Sequence, residues 1–210
     1  MNRNLYGIFL KYPEPGMVKT RLARDVGNEK AAEISRQVAE QIMKNTLSVD
    51  QNYERIVFYD PPERLRDFEQ WLGHEQFIPQ QGKDVGERMD LAIRALLDRG
   101  AEKAVLTGTD IPGLNSDVIA RAFAVLDDAE VVIGPAKDGG YYLIGMKEPH
   151  LELFQGIPWS TPRVYKDTAS ILEQLHLCYR CVEMLSDLDT TDDYSRFLIQ
   201  NARLTPEMPS

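Results

Sequence analysis

A chain of 210 residues with 43% hydrophobic content carries enough apolar side chain for one domain-sized core. Its formal net charge of -9 gives a surface that repels nucleic acid and anionic lipid, so neither is an expected partner; a small anionic ligand is still admitted wherever local cations reverse the potential. No run approaches the roughly 20 apolar residues that span a bilayer. Residues 5–10 are too few, and too soon interrupted by Lys11, for a signal-peptide core, so the expected location is cytoplasmic.

Residues 5–10 are apolar and rich in β-branched and aromatic side chains, which predicts a strand. The strand runs into Lys11 Tyr12 Pro13 Glu14 Pro15 Gly16 Met17 Val18 Lys19 Thr20 Arg21 Leu22. Pro15 and Gly16 bend the backbone, and Lys19 and Arg21 arrive near a helix start, where free N–H groups favour phosphate. Two readings stand for this segment: a phosphate grip, or a solvated basic face shared with Arg24. Helical spacing follows over 29–47, then a strand at 55–59 and helical spacing over 62–72. Gln80, Gln81 and Gly82 precede a helix at 85–99, whose start carries the capping-box pair Asp84 and Glu87. Those amides suit a base edge, and Gly82 admits a close ligand; the competing reading is an ordinary capped loop. Arg88 serves either a phosphate or its own neighbourhood.

The strand at 103–107 ends in Leu106 Thr107 Gly108 Thr109 Asp110 Ile111 Pro112. Asp110 projects from this strand end into a crevice, or simply belongs to a turn. Asn115 is a good cap for a helix at 116–126. Strands at 130–134 and 141–146 are separated only by a turn-like segment, so one antiparallel pairing is expected there. That segment contains Lys137 Asp138 Gly139 Gly140 Tyr141 Tyr142, which reads as a hairpin turn or as a ligand-facing loop with Asp138 binding a hydroxyl or acting as base. Trp159 lines the same pocket or is core. Ser160 or Thr161 before Pro162 marks the start of a helix at 162–175. Cys178 and Cys181 fall in a strand-like run at 177–184, where residues three apart face opposite ways, so they read as two ordinary thiols rather than a redox pair or half a zinc site. His74, His150 and His176 lack partners at useful spacing. Asp187 Leu188 Asp189 Thr190 Thr191 Asp192 Asp193 follows, with Thr190 and Asp193 capping a last helix at 191–201. Residues 1–204 are expected to form one domain and 205–210 a loose tail.

Strands alternating with helices predict a three-layer α/β/α sandwich around a mainly parallel twisted sheet with an antiparallel element. Ligands of such sheets gather beyond the carboxyl ends of the strands, near the switch point of strand order. Magnesium takes one or two protein carboxylates together with phosphate oxygens and waters. Asp110 and Asp189 fill that share, with Asp187 in reserve, and the expected cofactor is Mg2+ or Mn2+.

Taken together, K-T-R-L after the first strand, T-G-T-D-I-P, D-G-G-Y-Y-L-I-G and D-L-D-T-x-x-D resemble the nucleotide-diphospho-sugar transferase superfamily with the GT-A fold. The chain looks most like a family of small proteins labelled glycosyltransferase, and more distantly like phospholactate and molybdopterin guanylyltransferases. The resemblance implies that Lys11, Gly16, Lys19 and Arg21 wrap nucleotide phosphates and that Asp110 and Asp189 hold the metal. It places Gln81, Gly82 and Arg88 beside the nucleotide, in a segment similar to the family's Q-G-x-D-x-G-x-R-M. It puts Asp138, Gly139, Gly140 and Tyr141 on the acceptor side, which Trp159 joins if it lines that pocket rather than belonging to the core. Two departures are informative. Gly108 stands two residues before Asp110, so the D-x-D motif of many glycosyltransferases is incomplete, and Pro13 to Gly16 replace the glycine-rich loop of the guanylyltransferases. The expected reaction is metal-dependent nucleotidyl transfer from a nucleoside triphosphate to a small phosphorylated acceptor, with Lys19, Arg21, Asp110 and Asp138 catalytic. The alternatives are glycosyl transfer from a nucleotide sugar, with Asp138 as base, and a nucleotide-binding module without catalysis.

Overall fold

The computed structural model describes residues 3–48 and 52–204; the expected tail at 205–210 lies outside the described residues. Seven strands among them form one sheet: β1 (Asn4–Lys11), β2 (Glu54–Asp60), β3 (Gln76–Pro79), β4 (Lys103–Thr107), β5 (Val131–Pro135), β6 (Tyr141–Met146) and β7 (Tyr179–Cys181). Their order is β3-β2-β1-β4-β6-β5-β7. Neighbours run parallel except at β6, which is antiparallel to both β4 and β5. The helices are α1 (Ala23–Val26), α2 (Asn28–Asn45), α3 (Leu65–Leu72), α4 (Val85–Leu97), α5 (Ser116–Asp128), α6 (Val164–Gln174) and α7 (Thr191–Leu204).

The two faces of the sheet follow from strand alternation. Val57 and Tyr59 of β2 join α2, α3, α5 and α7 in one buried cluster, through Ile34, Val38 and Ile42, Phe68, Val118 and Ile119, and Phe197. Ile56 and Phe58 join α4 and α6 in the other, through Ile93, Leu96 and Leu172. Both faces of the central strands are therefore covered, and β4 and β5 are buried at every position, as a sandwiched sheet requires. Gly7 lies at the middle of β1, where a Cβ would come within 2.9 Å of Leu106 and Phe58 and 3.1 Å of Leu96. Its bare backbone lets α4 settle onto the sheet.

Local signals place most boundaries. Asp84 Oδ1 accepts from Glu87 N–H at 2.9 Å, and Asn115 Oδ1 accepts from the N–H groups of Asp117 and Val118. Glu87 completes its box one residue early, accepting from Lys83 N–H at 2.7 Å. Several expectations need correction. Strand β3 was not anticipated, because Gln76–Pro79 has only two apolar side chains flanked by polar residues and lies at a half-buried sheet edge closed by Pro79. The four-residue α1 was also missed. The expected antiparallel pairing of β5 with β6 does form, and β6 pairs antiparallel with β4 as well, because it inserts between β4 and β5. Helix α6 begins at Val164 without a side-chain cap: Thr161 Oγ1 donates instead to Pro158 C=O, and Ser160 turns to a φ of 62°. Strand β7 is shorter than expected and leaves Cys178 outside it; both cysteines are free and exposed.

Candidate active site

A cleft of about 540 Å³ opens at the carboxyl ends of the parallel strands. Lys11 closes β1, Asp60 closes β2, Gln80 follows β3, and Thr109 and Asp110 follow β4. Ala136 and Asp138 follow β5, and Asp187 and Asp189 come after β7; all of these residues line the cleft. Strand order reverses here, with β1 flanked by β2 and β4, the place where an open sheet leaves a crevice.

The two acidic motifs meet at one corner. The carbonyl of Asp110 accepts from the N–H of the wholly buried Leu188 at 2.9 Å, which ties the loops together. Thr190 and Asp193 cap each other at the start of α7, and Asp193 Oδ2 also accepts from Asp189 N–H at 3.2 Å, fixing the backbone that carries Asp189. Lys19 reaches into this corner: its Nζ lies 2.5 Å from Asp110 Oδ1 and 3.6 Å from Asp189 Oδ1. Arg21 Nη1 stands 3.3 Å from Asp189 Oδ2. The expected basic grip is thus paired with the two carboxylates directly rather than facing them across a gap. Lys19 is held at a φ of 47°, an unusual backbone conformation for a residue with a Cβ, and its side chain is 4% exposed whereas that of Asp110 is 64% exposed. Lys11 also lines the cleft, while Gly16 makes the turn at a φ of 80°.

On the opposite side, Arg88 Nη1 lies 3.4 Å from Asp60 Oδ1 and donates to Gln80 Oε1, and its Nε donates to Gly82 C=O. Gln80 Nε2 donates to Phe58 C=O. Gln80 therefore lines the cleft, whereas Gln81 is exposed and outside its lining. Gly82 has a φ of 124°, and a Cβ there would come within 2.7 Å of Arg88 N, so its need is explained by the start of α4. Asp60 was not singled out from the sequence. The reasoning that found Lys11 and Asp110 applies equally to it, as the residue that ends a parallel strand at the ligand edge.

Asp138, Gly140 and Tyr141 line the third side. Asp138 Oδ1 accepts from Gly140 N–H at 2.9 Å. Gly139 has a φ of 91° and packs where a Cβ would meet Pro162 O at 2.3 Å. Its carbonyl accepts from Tyr165 N–H. Burial pushes the Tyr141 hydroxyl well above its ordinary pKa, so it stays protonated. Trp159 stands behind the lining, edge-on to Tyr141 at 6.3 Å and against Gly86 of α4, a supporting position rather than a wall of the cleft.

Five carboxylates line the cleft, Asp60, Asp110, Asp138, Asp187 and Asp189, against Lys11 and Arg88 in the lining and Lys19 and Arg21 paired with Asp110 and Asp189. Burial, and the like charges of Asp138, Asp189 and Asp193, raise the Asp187 carboxyl above its ordinary value despite an opposing backbone hydrogen bond. Such a site is short of positive charge. Hard oxygen donors on Asp110 and Asp189 already converge on one cation, the Lys19 ammonium, so the donor set fits magnesium or manganese with remaining positions left to phosphate and water.

A three-layer sandwich of this strand order, with a carboxylate-lined cleft at the switch point, defines a protein of the nucleotide-diphospho-sugar transferase superfamily with the GT-A fold. The chain belongs to the family described as "Uncharacterized protein conserved in bacteria (DUF2064)", whose model matches residues 43–161. A crystal structure from Desulfovibrio desulfuricans, provisionally assigned as a nucleotide-diphospho-sugar transferase, is 32% identical, with 97% of each chain covered and a TM-score of 0.87. The fold is shared with CMP:2-keto-3-deoxy-manno-octonic acid synthetase in complex with CTP, at 12% identity over 97% of this chain and 100% of that one, with a TM-score of 0.62. It is shared also with the manganese complex of Rv0371c from Mycobacterium tuberculosis, at 14% identity, 93% and 98% coverage and a TM-score of 0.55. No curated protein matches the sequence.

Proposed function

We propose that this protein transfers a nucleotidyl group from a nucleoside triphosphate to a small phosphorylated acceptor, with a divalent cation held by Asp110 and Asp189. The convergence of these two carboxylates with Lys19 and Arg21 at one corner of the cleft carries the reading. The CTP complex of one structural neighbour and the manganese complex of another support the ligand classes.

In this reading Lys11, Gly16, Lys19 and Arg21 receive the triphosphate. Arg88, braced by Asp60, Gln80 and the Gly82 carbonyl, borders the base end, with Gln81 just outside. Asp138, Gly139, Gly140 and Tyr141 border the acceptor, and Trp159 supports Tyr141 from behind. The acceptor phosphate is ionised near neutrality, so its oxygen attacks the α-phosphorus without a general base and pyrophosphate departs. Catalysis reduces to alignment and to neutralisation of developing charge. A divalent cation supplies Lewis-acid polarisation of phosphate oxygens. Lys19 and Arg21 hold the leaving β and γ groups.

Glycosyl transfer from a nucleotide sugar is the second reading, favoured by the assignment given to the 32% identical relative and by Asp138 as a cleft carboxylate fit to activate a hydroxyl. A screen of triphosphates and nucleotide sugars with and without Mg2+ or Mn2+, read first by thermal shift and then by product, separates the two. Pyrophosphate release from a triphosphate in the presence of a phosphorylated acceptor is the expected result. Nucleoside diphosphate or monophosphate released from a nucleotide sugar, with no pyrophosphate from any triphosphate, would replace the first reading with the second.

A further inference from the structure

Lys19 is an anomalous cation among the described side chains. Its side chain is almost wholly buried, its backbone is in the left-handed region, and Nζ has no well-directed hydrogen-bond acceptor although two carboxylates lie within ion-pair distance. The ammonium is held by ion pairs alone, with Asp110 Oδ1 at 2.5 Å and Asp189 Oδ1 at 3.6 Å, and a residue held in a sparsely populated conformation at a cleft points to function. Both oxygens of Asp189 are engaged, Oδ1 toward Lys19 and Oδ2 toward Arg21. Nζ stands within ion-pair distance of both Asp110 Oδ1 and Asp189 Oδ1.

We propose that Lys19 is the resident counter-ion of the Asp110–Asp189 site, which a divalent cation must displace, and that the freed ammonium transfers to the incoming triphosphate, so that cation and triphosphate enter as a coupled pair. The inference rests on the metal-dependent reading above and adds its order of events. An ion bridging both carboxylates binds oxygen at about 2.0–2.1 Å for Mg2+ and cannot coexist with an ammonium at the same point, because the two like charges repel. The flexible stem of lysine lets the charge leave without moving the loop. A triphosphate offers it new anionic partners, so either ligand prepares the site for the other, and the coupling is reciprocal.

The test is Mn2+ titration in the absence of nucleotide, followed by calorimetry or by the paramagnetic resonance of free Mn2+, on wild type and Lys19→Met. The variant is expected to bind Mn2+ alone at least about tenfold more tightly, since a like charge has been removed from the site. Its additional gain in Mn2+ affinity on adding a non-hydrolysable triphosphate should be smaller than that of wild type. Equal or weaker binding by the variant, with binding by wild type detected, overturns the inference while leaving the metal site standing. That outcome would mean that the ion sits on the outer oxygen of Asp110 with Lys19 in place. Absence of Mn2+ binding by both proteins, with and without triphosphate, removes the metal reading and this inference together. A second measurement needs no variant. Acylation of Lys19 by an amine-reactive reagent, followed by mass spectrometry on wild type, should be slow without metal and accelerate at saturating Mn2+. An unchanged rate under conditions where Mn2+ binds also overturns the proposal, and this decides the matter if Lys19→Met fails to melt cooperatively.

Discussion

Arg55 and Lys19 are both buried cations, with side chains 7% and 4% exposed, and their surroundings treat them in opposite ways. Arg55 in β2 spends its fork on Glu75, the Met43 carbonyl and the Thr46 hydroxyl. Its carboxylate partner is 18% exposed, so the pair is largely shielded and every guanidinium nitrogen is hydrogen-bonded. Lys19 faces carboxylates that are 64% and 34% exposed at the mouth of a cleft, and it gains no directed hydrogen bond from them. Equal burial therefore does not mean equal purpose. A satisfied fork stitches α2, β2 and the start of β3 together, whereas an ammonium held only by ion pairs to open carboxylates marks charge held ready for a ligand.

Breaking the closed pair should have the largest effect on folding. Arg55→Ala leaves Glu75 without its partner and two backbone and hydroxyl acceptors unfilled, so denaturant unfolding should show a loss of about 3–5 kcal/mol. Stability within 1 kcal/mol of wild type would show that the interior pair is as dispensable as a surface one. Asp110→Ala attacks the open pair, and its cost should fall on catalysis instead. Turnover in the pyrophosphate assay should drop by about 10²–10³-fold or more, with a smaller loss of unfolding free energy than Arg55→Ala, because Asp189 Oδ1 still lies 3.6 Å from the Lys19 ammonium. Retained metal-dependent turnover in that variant would remove Asp110 from the centre of the site. The smallest effect calibrates the comparison with a neutral group outside the cleft lining. Asn115→Ala removes the two cap hydrogen bonds of α5 and should cost about 0.5–2 kcal/mol in the same denaturant experiment, with kinetic constants unchanged.

Most of the architecture was legible in the residues. The apolar runs at β1, β4 and β6 are long or pure enough to stand out, and Asp84, Asn115 and the Thr190–Asp193 pair cap the helices they precede. β3 was hidden, because an edge strand needs little apolar surface and Gln76–Pro79 supplies little. The carboxyl-edge argument brought Lys11, Asp110 and Asp189 to the cleft. It passed over Asp60, whose neighbourhood carries no distinctive motif.

The sequence by itself determined what short-range physics controls: alternation along strands, helical spacing, caps, and the sandwich that such alternation requires. Tertiary structure alone decided that β6 also pairs antiparallel with β4, that Gln80 rather than Gln81 faces the cleft, and that Trp159 stands behind Tyr141. It also decided that Lys19 lies between the two aspartates instead of across from them. The reason is one of scale. Caps and periodicities are settled by hydrogen bonds and contacts within a few residues, but the position of Nζ depends on where three loops, distant along the chain, are delivered by the same sheet.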